Sequence, residues 1–234
     1  MSKTGGVVAV ASLALEARIA HGPGVSVVLC NQSSHLGARL KAAIALGVSG
    51  IMSFGIAGGL APNLVAGDCV IASLVRNGHD AIATDRTWAK CLLEAIPDAI
   101  HAEIAGVDTL LMNPWEKDRI RALTGAVAVD MESHIAAKIA FAHRIPFAAC
   151  RIIIDAANRT LPPAATVGLR QDGTADVLAV LRSVLQKPSQ IPDLVRTALD
   201  ARIAGRALRL RRNQMGVGLG IPDYKNDSFG LAVA

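Results

Sequence analysis

The sequence predicts an α/β fold, a three-layer α/β/α sandwich in which helices cover both faces of a central mixed, mostly parallel sheet. Three observations carry that expectation. Short apolar runs rich in β-branched residues alternate with helix-period segments through the first 155 residues. Most of these runs are apolar without alternation, as strands are when both faces are covered. The composition, 52% hydrophobic and 18% charged over 234 residues, supplies enough apolar side chains for one large core.

The first expected strand is Val7 to Ala11, and the second is Val25 to Cys30. Ser34 is placed to cap a helix through Leu36, Leu40 and Ile44, which Gly47 closes. Strands follow at Gly50 to Phe54, Cys69 to Val75 and Ala102 to Val107. Pro114 suits the first turn of a helix whose Glu116 and Asp118 complement the dipole. A strand over Ala126 to Asp130 leads into a helix capped by Ser133, where Ile135, Ala136, Ile139 and Ala140 recur at helical spacing. The last strand is Phe147 to Ile154. Beyond Pro162-Pro163 the pattern is helical: Val177, Leu178, Leu181 and Leu185 share a face, and another helix runs from Ile191 towards Leu210. We expect one domain over residues 1–212. Residues 213–234 read as a glycine-rich tail that is ordered only if it docks on something.

Charge and cysteine usage narrow the function classes. Between Lys187 and Arg212 seven basic residues face two acidic ones, which accounts for the whole formal net charge of +5. The basicity therefore belongs to one terminal element, where Arg202, Arg206, Arg209 and Arg212 fall at helical spacing. It carries no interleaved aromatics, and no nucleic-acid role is expected. No apolar run reaches the roughly 18 to 20 residues of a spanning helix, and nothing suggests secretion, so the cytoplasm is the expected compartment. Cys30, Cys69, Cys91 and Cys150 lack C-x-x-C spacing and read as reduced thiols, three of them in strand-like runs. His134 and His143 have no partners at metal-binding spacing, so neither a metal nor an organic cofactor is implied.

In open α/β sheets ligands bind beyond the carboxyl ends of the strands. Three carboxylates stand at such ends: Glu16 after the first strand, Glu132 in Val-Asp-Met-Glu-Ser, and Asp155 closing Arg-Ile-Ile-Ile-Asp. Desolvated acids of this kind cluster at functional sites. The ordinary alternative for each is helix capping or a salt bridge with Arg18 or Arg151. The segment Phe54-Gly55-Ile56-Ala57-Gly58-Gly59 reads as a glycine-rich turn whose backbone N–H groups can approach a ligand's oxygens. It is neither a dinucleotide fingerprint nor a P-loop. His79-Asp80 has the look of a general-base pair, but the Thr84-Asp85 region that follows reads as a loop over the site, and catalysis at the pair is not the favoured reading.

The order of these pieces resembles the nucleoside phosphorylase and nucleosidase superfamily over about residues 6–160. The residues that carry the likeness are the early glutamate, Gly55-Ile56-Ala57-Gly58-Gly59-Leu60 followed by Gly67-Asp68, then Asp130-Met131-Glu132 and the terminal Asp155. More narrowly, Leu-Glu-Ala-Arg-Ile-Ala, Phe-Gly-Ile-Ala-Gly-Gly-Leu, Val-Asp-Met-Glu-Ser-His-Ile-Ala-Ala and Leu-Pro-Pro-Ala-Ala resemble the hopanoid-associated phosphorylase branch. Members of that branch are thought to remove adenine from adenosylhopane.

The resemblance implies roles. Asp155 would donate to the purine N7, its pKa raised by the flanking isoleucines. Glu132 would hold the ribose hydroxyls, with Met131 and Asp130 beside it. Glu16 would activate water. Alternatively, Ser12, Arg18 and the backbone of Gly55, Ile56, Ala57 and Gly58 would cradle inorganic phosphate as co-substrate, although Ile56 stands where phosphorylases place a hydroxyl residue. Both acceptors remain open. Leu110 and Leu111 replace the stacking aromatic of methylthioadenosine nucleosidases, and the chain holds only seven aromatic residues. Such apolar walls suit a bulky aliphatic 5′ group. The expected partner is thus a small nucleoside with a lipophilic 5′ substituent, handled by a homo-oligomer whose basic helix touches the inner membrane peripherally. The rivals are a methylthioadenosine or S-adenosylhomocysteine nucleosidase, and a nucleoside-binding module without turnover.

Overall fold

A computed structural model describes residues 5–30, 33–163 and 186–223. Its elements follow one another as β1 (Val7–Ala11), α1 (Ala14–Ala20), β2 (Val25–Leu29), α2 (Ser33–Ala45), β3 (Gly50–Gly59), β4 (Cys69–Asn77), β5 (Asp80–Ala83) and α3 (Arg86–Ala95). They continue as β6 (Ile100–Gly106), α4 (Pro114–Thr124), β7 (Ala128–Asp130), α5 (Ser133–Ala142), β8 (Phe147–Asp155) and α6 (Ile191–Met215). The helix expected over Val177 to Leu185, and the tail from residue 224, lie outside the described residues.

Alternation along β1 sets the layers. Val8 and Val10 pack with Leu36 and Leu40 of α2 and with Ala136 and Ile139 of α5. Val7 and Ala9 turn the other way, towards Trp88 and Leu92 of α3 and Leu208 and Met215 of α6. Both faces of the sheet are therefore covered, and each large side chain so buried contributes about 1.5–3 kcal/mol. A smaller cluster, with Leu60, Ala105, Ala126 and Val129 at its centre, seats Ile120 of α4.

The strands run in the order β2-β1-β3-β7-β6-β4-β5, and β8 pairs with both β3 and β4. Pairing is parallel between β1 and its neighbours, β3 and β8, β4 and β6, and β6 and β7. It is antiparallel at β3 with β7, β4 with β8 and the β4–β5 hairpin. Consequently β3, β8, β4, β6 and β7 close into a ring, and the end of β3 meets β7 and β8 together.

Several local expectations are corrected. Gly55 to Gly59 is not a turn but the second half of β3, held against β8 with a register shift between Ala57 and Gly58. α1, α3 and β5 were not foreseen. Ser34 lies one residue inside α2 rather than at its cap. Ser133 opens α5 without capping it; Asp130 Oδ1 accepts from the amides of Glu132 (3.3 Å) and Ser133 (3.0 Å) instead. Thr84-Asp85 is the two-residue link between β5 and α3 and does not reach the cavity wall: the Thr84 hydroxyl donates to Ala72 O at 2.7 Å, and Asp85 caps α3 by accepting from the Trp88 amide at 2.8 Å. His79 is exposed in the turn of the β4–β5 hairpin. Cys69 and Cys150 are buried, their sulfurs 3.6 Å apart without a disulfide.

The C-terminal boundary also moves. α6 continues past residue 212 to Met215, and a 3₁₀ turn at Val217–Gly220 docks on the core, where Trp88 Nε1 donates to Leu219 O at 3.0 Å. Arg212 does not join the outward arginines. It is buried and donates to Ala20 O (3.0 Å) and Gly216 O (2.7 Å).

Candidate active site

A cavity of about 460 Å³ opens where β3, β7 and β8 converge beneath α4 and α6. Ser12 stands on its wall, with Ile56, Ala57 and Gly58 of β3. Leu110 and Leu111, from the segment before α4, face Asp130, Met131 and Glu132, from the end of β7, and Asp155 of β8 completes the set. Two expected residues stand one layer behind: Glu16 and Gly55 do not reach the lining, and a Cβ on Gly55 would collide with Glu16 Oε1. Arg18 is exposed and off the wall, as is His79. No aromatic side chain lines the cavity among the described residues.

Glu16 is spent on structure. Its Oε2 accepts from the amides of Ser12 and Leu13, both at 2.9 Å, and from the Ser12 hydroxyl at 3.2 Å; Oε1 accepts from the Ile56 amide at 2.8 Å. Glu116 uses the same device at α4, where its Oε2 accepts from the amides of Met112 (2.6 Å) and Asn113 (3.0 Å). In both helices an acid in the third position folds back on orphan donors. The capping alternative thus describes Glu16 better than water activation. The same bonds occupy the Ser12 hydroxyl and the Ile56 amide, two of the groups expected to cradle phosphate.

Behind the wall, Arg151 is fully buried and gathers the acids. Its Nε lies 2.6 Å from Asp130 Oδ2, and Nη2 lies 3.4 Å from Glu132 Oε2. It also donates to the Ser53 hydroxyl at 2.5 Å and to Ile56 O at 3.4 Å. The Ser133 hydroxyl donates to Asp130 Oδ2 and sits 2.9 Å from Ser53 Oγ. Burial pushes the Glu132 carboxyl up to about 7; Arg151 opposes the rise, and the charges of Asp130 and Glu16 add to it. Glu132 therefore faces the cavity as an acceptor held from behind by a cation.

Asp155 has a partner that the sequence did not announce. Lys117 of α4, 1% exposed, donates through Nζ to Asp155 Oδ2 and, at 2.8 Å, to Ala156 O. Burial raises the Asp155 carboxyl above its ordinary value, Lys117 pulls it back, and Asp200 of α6 raises it again. Asp155 lies against the end of β3: a Cβ on Gly58 would meet its Oδ1 at an ordinary 3.5 Å, whereas a Cβ on Gly59 would crowd its backbone oxygen at 3.1 Å. Lys117 sits in the run Pro-Trp-Glu-Lys-Asp-Arg, which reads as a solvated helix face. Leu194, Thr197, Ala198 and Ala201 of α6 add a further wall that sequence reasoning missed, together with Arg159 and Arg196. The two arginines lie 3.8 Å and 3.9 Å from Asp200 and Asp193 respectively. Chemically, the wall offers a hydrogen-bond acceptor at Glu132, an ammonium–carboxylate pair at Lys117 and Asp155, and a largely apolar remainder.

Residues 18–196 match the phosphorylase superfamily. No curated protein matches the sequence. Similar folds occur in solved structures. A futalosine hydrolase of Helicobacter pylori superposes with a TM-score of 0.60 at 16% identity, over 78% of this chain and 97% of that one. A 5′-methylthioadenosine/S-adenosylhomocysteine nucleosidase of the same organism, solved with butyl-thio-DADMe-Immucillin-A, gives 0.62 at 14% identity, over 91% and 100%. A putative nucleosidase of that kind from Francisella philomiragia gives 0.64 at 16% identity, over 91% and 97%. The mixed α/β sandwich expected from the sequence is the fold these structures share.

Proposed function

The chain belongs to the phosphorylase superfamily; from that premise we propose that it is a nucleoside-cleaving enzyme that releases adenine from a purine nucleoside with a bulky aliphatic 5′ group, adenosylhopane being the substrate that the sequence resemblance implies. The observation that carries this reading is a single cavity with Glu132 and Asp155 on its wall. Cleavage of the C1′–N9 bond leaves positive charge on the ribose and an electron pair on the purine. Glu132, as a carboxylate, accepts from the ribose hydroxyls and lies where positive charge grows. The Asp155 end receives the base.

The 5′ group is argued from the walls. Leu110, Leu111, Leu161 and Leu194 line a cavity that offers no aromatic stacking partner among the described residues, and such a lining favours aliphatic bulk. A structural neighbour that holds a butyl-thio ligand supports room for an alkyl chain in this fold. Water is the acceptor we favour, because the Ser12 hydroxyl and the Ile56 amide already serve Glu16. We also assign the outward face of α6, with Arg202, Arg206 and Arg209 among exposed Leu199, Ile203 and Leu210, to peripheral contact with an anionic membrane that carries such substrates.

The test incubates the protein with adenosines bearing 5′-methylthio, butyl and dodecyl groups, with and without phosphate, and weighs the sugar product. We expect adenine release without added phosphate, favoured by the longer chains, and losses of about 100-fold or more in Asp155→Asn and Glu132→Gln. Ribose 1-phosphate derivatives would move the acceptor to phosphate. Preference for the methylthio compound would favour the methylthioadenosine nucleosidase reading. Release of adenine from none of them would overturn the proposal.

A further inference from the structure

The segment between β6 and α4 is a partition with a cavity on each side. Val107, Thr109, Leu110 and Leu111 line the candidate active site. Asp108, which lies among them in sequence, lines instead a second cavity of about 270 Å³, together with Asn77, His134 and Lys138. There His134 Nε2 donates to Asp108 Oδ1 at 3.1 Å, the direction that a carboxylate acceptor requires. The imidazole is 12% exposed and lies against Gly106, where a Cβ would collide with the ring. Its Nδ1 has no hydrogen-bond partner among the described residues. Packing on a bare glycine thus fixes the ring, and the ring holds the acid.

Tethers bracket the partition. At its start the Asn77 side chain donates to Gly106 O and the Val107 amide to Asp130 O, both at 2.9 Å. At its end Met112 donates to Glu116 Oε2 and accepts from the Leu161 amide at 2.9 Å, while Leu111 packs on the small cluster beside Ile120. Thr109 and Leu110 lie between these anchors, and behind Asp108 is open cavity rather than packed core. Leu110 is itself 46% exposed.

We propose that the Asp108–His134 pair is the latch that sets the length preference for the 5′ group: two positioning residues that touch no substrate and hold Thr109 and Leu110 where an alkyl chain packs. This rests on the nucleoside-cleaving reading above and deepens it. A wall already in place adds no ordering cost when a long chain binds, whereas a wall released into the second cavity must be ordered with each binding event. The loss falls on ligands that reach the wall, and a 5′-methylthio group stops short of it. Glu132 and Asp155 are held by Arg151 and Lys117 instead, so the bond-breaking step is spared.

The deciding experiment measures kcat and KM of the full chain with 5′-methylthio and 5′-dodecyl adenosines. Asp108 is 78% exposed, which bounds the effect: His134→Leu and Asp108→Ala should each raise KM for the dodecyl compound about fivefold, leaving KM for the methylthio compound and both kcat values nearly unchanged. Because the two residues act as one device, the double variant should be no worse than either single. His134→Gln, whose side-chain amide can take the place of Nε2, should restore the wild-type KM. A KM that rises equally for both compounds, or a double variant whose losses multiply, overturns the proposal. Thermolysin, which cuts before leucine, reads the latch without any nucleoside: the Thr109–Leu110 bond should be cleaved about fivefold faster in either single variant than in wild type. Equal cleavage overturns the proposal as well. A wild type that releases adenine from neither compound sinks the functional reading; faster cutting of the variants then still supports the latch, and equal cutting still overturns it.

Discussion

Glu132 combines two demands that pull in opposite directions as pH changes. Its carboxyl sits near 7 in the folded chain against an ordinary 4.5. Between those values the folded state holds more proton than the unfolded one. The stability this group contributes is therefore complete below about 4.5 and is lost as pH rises through about 7. In the reaction proposed above Glu132 accepts from the ribose hydroxyls in its ionised form, so kcat/KM should climb over the same interval and level off above it. Urea midpoints at pH 5, 6 and 8 should fall more in wild type than in Glu132→Gln; equal slopes would dismiss the shift. At this scale Glu132 and Asp155 were legible, because an acid that ends an apolar strand must be accounted for. Glu16 was legible only as an acid, since a catalytic and a capping glutamate look alike until Ser12, Leu13 and Ile56 are seen donating to it. Lys117 gave no signal, lying in a charged run that any surface helix could carry.

Helix α6 is the element whose sequence misled in part and informed in part. Its basic face was legible from spacing, yet Arg212 turns inward and Arg211 pairs with Asp98 at 2.5 Å. Of the four spaced arginines Arg202, Arg206 and Arg209 remain outward, and Ile191, Val195, Leu199 and Ile203 recur every fourth residue, each 45–54% exposed. If each arginine gains about 1 kcal/mol near an anionic surface, neutralising three should weaken adsorption roughly 100-fold. Flotation with phosphatidylglycerol vesicles at low salt should carry wild type upward and leave behind the triple variant Arg202→Gln, Arg206→Gln, Arg209→Gln; equal flotation would discard the membrane role. Truncation would be a poor substitute, because Ala204, Leu208 and Met215 of the same helix are buried in the core. The short α1 was missed for a different reason: seven residues leave too few turns for periodicity to show. The second half of β3 was missed because its glycines are the mark of a turn, whereas here Gly55 makes room for the Glu16 carboxylate and Gly59 for the backbone of Asp155.

Across the whole molecule, fold class was readable because continuously apolar strands need helices on both sides. The ring closure was not, because which strand pairs with which is set by side chains far apart in sequence rather than by any local pattern. β8 shows what that hides. Cys150, Arg151 and Ile152 are matched to Phe54, Gly55 and Ile56 on one side and to Ile71, Val70 and Cys69 on the other. Neither ladder can open alone without the other resisting, so the backbone amides of these three residues should be among the last to take up deuterium, tracking global unfolding. Rapid labelling there would contradict the double pairing. On the proposed function, adaptability to 5′ groups of different length must then come from the helical side of the cavity, and variants selected for altered chain-length tolerance should accumulate in α6 and in the leucines before α4, sparing the strand that bears the acid.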